Sequence, residues 1–210
     1  KSNKKDNKAV CTMNGGELSD NVGGSVASVI NIMGSHPVEV NLLGGAFVNN
    51  SMTTTGANLA CISATNDGST VVIGGVKFAG NTDKNGETIN ALTISTHNVT
   101  LIPTEDTDFQ DPIYINNAYG SYKDVAIRVP EGLTKLKGKL PILLAKEFVG
   151  AATISGGTGE GAYALQPSDM EKVHVVNDID GAYYLEVNEN NTAVFAEVKT
   201  RTGADIHSKR

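Results

Sequence analysis

The feature that most constrains this chain is a recurrence of about thirty residues. Displacing the segment "CTMNGGELSDN" by 29 positions sets Cys11 on Val40, Met13 on Leu42, Gly15 and Gly16 on Gly44 and Gly45, Leu18 on Phe47, and Asn21 on Asn50. A further displacement of 31 carries Val40 to Val71, Leu42 to Ile73, Gly44 to Gly75, Phe47 to Phe78 and Asn50 to Asn81, and Phe78 then falls on Phe109. A second track runs Ile30, Cys61, Leu92, with a weaker one through Ile32, Ser63 and Ile94. A period of this size means that one supersecondary unit is stacked on itself.

Each unit holds short alternating stretches such as "VINI", "VEVNLL" and "AFVNN", separated by Gly, Asn, Ser or Asp. Alternation marks strands and the separators mark turns. No window carries the 3.6-residue apolar period of a helix. The 23 glycines and the absence of tryptophan suit turn-dense β-structure. Short strands in tandem coils describe a parallel β-helix, each coil about 4.8 Å above the last. Equivalent inward side chains then stack, so Leu18, Phe47, Phe78 and Phe109 form one interior column. Asn21, Asn50 and Asn81 fall at a bend, where asparagine tolerates the left-handed conformation and bonds its counterpart one coil away. The glycine pair marks another bend. The competing arrangement is an antiparallel sandwich in which the recurrence is accidental.

The segment "TMNGGELSDN" resembles the "TMNGGxISGN" repeats of large cell-surface proteins from Gram-positive gut bacteria. "GGAFVNN" is similar to the GGA and FxxN motifs of chlamydial polymorphic membrane proteins. The resemblance covers residues 9–115 and implies an all-β, right-handed parallel β-helix of the pectate-lyase-like solenoid type, displayed outside the cell. It weakens in the third coil, where Val76 replaces the second glycine, and in the fourth, where Pro112 stands in the asparagine position. The organisation expected is a lead-in over 1–8, coils over 9–118, terminal coils or a strand-rich cap over 119–200, and a tail over 201–210. A separate small β-domain from residue 119 is the other reading of the second half. Because the pattern opens inside a repeat, we expect a fragment whose signal and upstream coils are missing.

The net charge of -6 leaves no basic stripe to neutralise phosphates, so nucleic acid is not an expected partner. No run reaches the roughly 18 apolar residues of a membrane helix, and no signal peptide opens the chain. Cys11 and Cys61 occupy positions that Val, Ile or Leu fill elsewhere, which reads as small buried hydrophobes; a disulfide is the alternative.

Enzymes are built on this fold too. "TEDTDFQD" supplies Glu105, Asp106, Asp108 and Asp111, a candidate carboxylate site for a lyase or glycosidase, or else a solvated turn beside Phe109. "RVPEGL" resembles the RxPxxR signature of pectate lyases in its first half only, with Leu133 in place of the second arginine. "NDIDG" resembles the NTD stretch of polygalacturonases but reads as a hairpin turn at Asp180-Gly181. His36 and His97 lie two coils apart, about 10 Å by the coil spacing, too far to share a zinc ion. His174 and His207 have no evident partners, and no serine sits in a GxSxG elbow. No catalytic residue, metal site or cofactor is therefore assigned. Tyr119 and Tyr122 in "NAYGSY" are the candidate ligand-binding residues, either stacking on sugar faces or packing beneath the terminal coils. The expectation is a monomeric, secreted or bacterial cell-surface protein, stalk- or adhesin-like, that meets a host surface or a polysaccharide. The alternative is a carbohydrate-active β-helix with its acidic site at 105–111.

Overall fold

A computed structural model describes residues 8–32, 37–64, 69–94, 99–116, 127–145, 152–177 and 183–197. Strands β1 (Ala9–Ser19), β2 (Val22–Gly23) and β3 (Ala27–Ile32) form the first coil. β4 (Val38–Val48), β5 (Ser51–Met52) and β6 (Ala60–Ala64) form the second, and β7 (Thr70–Ile73), β8 (Val76–Ala79) and β9 (Asn90–Ile94) the third. β10 (Val99–Leu101), β11 (Asp108–Phe109) and β12 (Ile113–Ile115) form the fourth. The later coils are carried by β13 (Ile127–Arg128), β14 (Leu140–Leu144), β15 (Ala152–Ser155) and β16 (Val173–Val175). The chain is a parallel β-solenoid of about five turns.

Parallel pairing follows the repeat. Cys11 pairs with Val40 and Val40 with Val71, while Leu18 pairs with Phe47, Phe47 with Phe78, and Phe78 with Phe109. The expected column is present. The rings of Phe47 and Phe78 stack with centroids 5.0 Å apart, and those of Phe78 and Phe109 at 5.2 Å. Phe47 and Phe78 are fully enclosed, as are Leu42, Ile73, Leu92 and Ile94.

β4 explains the glycine pair. Its first half pairs with β7 and its second half with β8, so the strand bends between two faces of the coil at Gly44-Gly45. Gly45 has φ +110°, and a Cβ there would lie 2.5 Å from the Gly16 carbonyl oxygen of the coil below. Only glycine satisfies both the backbone angle and the close approach. In the third coil Val76 pairs with Gly45, and the left-handed residue moves one place back to Gly75.

The asparagine ladder is also present, but its geometry differs from the expectation. The left-handed residues are those one place earlier, Asp20, Asn49 and Gly80. The asparagines themselves serve by hydrogen bonding. The backbone N–H and Nδ2 of Asn21 donate to Oδ1 of Asn50 at 3.1 and 2.8 Å. Those of Asn50 donate to Oδ1 of Asn81, both at 2.9 Å. Asn81 Nδ2 then donates to Asp111, so the fourth rung is Asp111 rather than the Pro112 position. The fourth coil turns its corner one residue early, with only Gln110, Asp111 and Pro112 between β11 and β12.

Two further expectations are corrected. Ile30 pairs with Ile62, not Cys61, and Ile32 with Ala64, not Ser63; in the next coil Ile62 meets Leu92 and Ala64 meets Ile94. Cys61 and Ser63 thus lie one place off both tracks, because the offset here is 32 residues and then 30 where the sequence reading took 31 for both. Cys11 is exposed on β1, which among the described residues pairs with β4 alone; Cys61 is buried, and the described cysteines form no disulfide.

Parallel pairing continues past residue 118, through β12–β14–β16 on one face and β10–β13–β15 on another. An antiparallel hairpin of β17 (Tyr183–Val187) and β18 (Thr192–Glu197) then closes onto β15. Such a change of direction blunts the open edge that parallel coils would otherwise present. A one-turn helix, α1 (Pro167–Met170), fastens this end through Asp169, whose buried carboxylate accepts bonds from Leu133 N–H at 2.6 Å, Gln166 N–H at 2.8 Å and the Tyr163 hydroxyl at 2.7 Å. Burial and the neighbouring Asp169 push the Tyr163 phenol up to about 12. Among the described residues no helix is long and apolar enough to cross a membrane.

Candidate functional site

The solenoid disperses the acidic run. Asp111 is buried as the last rung of the ladder, and loss of water around it raises its carboxyl above the ordinary value, against the hydrogen bonds from Asn81. Asp108 lies 3.9 Å from Lys137 and accepts a bond from Gln110 Nε2. Glu105 and Asp106 stand exposed on a turn pinned by Thr107, whose buried hydroxyl accepts the N–H groups of Gly75 and Thr104. No group of three or more His, Cys, Asp or Glu among the described residues is arranged to hold a metal ion.

The other sequence candidates divide as follows. Arg128 is an exposed strand residue ahead of the Pro130 turn, and Leu133 is enclosed in the core. His174 is exposed on β16 opposite Pro141. Tyr119, Tyr122, His36, His97, His207 and the Asp180-Gly181 turn lie outside the described residues.

A different place on the coil has the shape of a site. At the corner preceding β6, β9 and β12, successive coils spend different lengths of chain. The second coil runs from Thr53 to Leu59 between strands and the third from Gly80 to Ile89, whereas the fourth uses three residues. This step leaves a cleft of about 530 Å³ on the outer flank. Its floor is Pro112, Pro141, Leu143 and Val176 from consecutive later coils, and its walls are the longer loops, through Thr55–Ala57 and Asp83–Asn90. From the Thr55–Ala57 loop to Val176 it crosses four coil steps, about 19 Å along the axis at the usual coil spacing.

The walls are held by the fold. Asn90 Nδ2 donates to the carbonyls of Ala57 and Leu59, both at 2.8 Å. Thr93 Oγ1 donates to the Asn58 carbonyl at 2.9 Å, and Asn116 Nδ2 to Asn58 Oδ1 at 3.1 Å, which draws the first loop over the sheet. In the other wall Oδ1 of Asp83 accepts the N–H groups of Asn85 at 2.7 Å and Glu87 at 3.0 Å, closing the turn "DKNGE". Sequence reading missed this cleft because most of its lining comes from loops whose lengths the repeat does not fix. The available signal was the shortened fourth corner, marked by Pro112.

A second, more open cavity of about 820 Å³ lies at the carboxyl end between α1, β16 and β17. It is lined by Leu165, Met170, Val173, Val175, Leu185 and Val187 together with Glu171, His174, Tyr184 and Glu186. Comparison of the chain with family models, curated proteins and solved structures returns no match.

Proposed function

We propose that this chain works as a non-enzymatic extracellular β-helical repeat protein, stalk- or adhesin-like, that offers a rigid flank to a polysaccharide or host surface. The observation that carries the reading is how the candidate chemistry is spent. The carboxylates of the acidic run go separately to the ladder, to Lys137 and to an exposed turn, while the flank cleft is bounded by loops already fastened to the coil. A pre-formed cleft loses little conformational freedom on binding, which suits a binding surface. Secretion or display at a bacterial surface is supported by the "TMNGG" resemblance. A glycan array on the full chain tests the reading, together with incubation against pectins and uronic-acid polymers. Retention of a glycan without product supports it. Unsaturated or hydrolysed products would replace it with a carbohydrate-active enzyme.

A further inference from the structure

We propose that the flank cleft takes an amino-sugar polymer, a polysaccharide with free protonated amines, laid along the solenoid axis. This rests on the binding reading above and names its ligand class.

Charge narrows the ligand first. The cleft is lined by two carboxylates, Asp83 and Glu87, and by no Lys or Arg. Uronates and sulfated chains are therefore repelled, and an ammonium group is attracted. Asp83 is fixed by the N–H groups of Asn85 and Glu87. Glu87 is exposed and has no ion-pair partner among the described residues, so its carboxylate is available to an incoming amine.

The backbone beneath the cleft then argues against a peptide. A peptide that binds by strand addition needs an unpaired sheet edge, and a polyproline helix needs an aromatic-lined groove. β9, β12 and β14 under the floor are each paired on both sides, and no aromatic side chain lines the cleft. What the walls offer are hydroxyl and amide groups, Thr55, Thr88 and Gln110, around an apolar floor of Pro112 and Pro141. Hydroxyl-rich rings with C–H faces match that pattern, and the axial direction matches a linear polymer.

The test is calorimetric titration of the full chain with three tetramers of equal length: glucosamine, N-acetylglucosamine and a uronic acid. The glucosamine tetramer should bind tightest, about 5-fold or more over the N-acetylated one, as expected of a partly exposed ion pair. High salt should erase the difference. Glu87→Gln should bring the two affinities together without altering the melting temperature, and Gln110→Trp, which fills the cleft, should weaken all binding. Unchanged glucosamine affinity in Glu87→Gln, or preference for the uronate, overturns the amine assignment. If the glucosamine tetramer does not bind and an array finds another glycan whose binding Gln110→Trp abolishes, the amine assignment falls and the binding reading stands. Silence of both titration and array overturns both.

Discussion

Replacing Asn81 by alanine tests the interior most sharply. The side chain is fully enclosed and uses all its hydrogen-bonding capacity. Nδ2 donates to the Phe47 carbonyl at 3.0 Å and to Asp111, and Oδ1 accepts the N–H and Nδ2 of Asn50, each at 2.9 Å. Alanine removes all four bonds. At about 1 kcal/mol net each the loss is roughly 4 kcal/mol, and the Asp111 bond raises it because bonds to ionised groups are worth about 1.5–3 kcal/mol. Stabilities of domains are on the order of 5–15 kcal/mol, so the variant should unfold at markedly lower urea. Asn21→Ala is the control. Asn21 makes the same kind of bond to Asn50 but stands exposed on the first coil, where water replaces the lost partner. It should cost about 1 kcal/mol or less. Equal losses for the two variants, or a loss below about 1 kcal/mol for Asn81→Ala, would show that the ladder is a by-product of the corner and does not hold it.

Phe78→Ala removes the ring between Phe47 and Phe109 and should cost about 3–5 kcal/mol in the same urea series; an unchanged midpoint would refute the packed column. Asp111→Asn tests the charged end of the ladder. Burial raises the Asp111 carboxyl above its ordinary 3.8, so below that pH the acid is neutral in both folded and unfolded chains and burial of charge costs nothing. As pH rises through the raised folded value, the wild type loses stability that the variant keeps. The melting-temperature advantage of Asp111→Asn should therefore grow from about pH 4 toward neutrality, and an advantage that shrinks over that range would refute it. A thiol reagent should label Cys11 in the native chain and Cys61 only on unfolding, because burial encloses Cys61 and pushes its thiol up to about 12; native labelling of both would contradict the packing.

The strand positions of the phenylalanine column were legible because a coil has to repeat its inward side chains, whereas the track through Ile30, Cys61 and Leu92 was read one residue off, its coil lengths being 32 and 30 where an even 31 was taken. Phe47, Phe78 and Phe109 can stack only if their spacing is kept, and the spacing is visible without coordinates. Corners obey a weaker rule, which is why the sequence misleads there. The ladder requires an acceptor and a short side chain at the corner, and the number of residues spent reaching it is free to vary. The third coil shifts its left-handed glycine to Gly75, and the fourth turns one residue early and substitutes the acceptor-only Asp111, which receives from Asn81. Both changes look like decay of a motif, yet the second preserves the ladder bond between coils. The shortened corner in turn recesses Pro112 below the loops at Thr55–Ala57 and Asp83–Asn90 and so opens the flank cleft. The same economy accounts for the loss of the acidic site. Asp111 is drawn inward by the ladder, so its neighbours in sequence, Asp108 and Asp106, are left facing other surroundings. In a stacked coil, then, the departures from the repeat are where a surface is made. The register that defines the repeat determines which nearby carboxylates are kept from acting together.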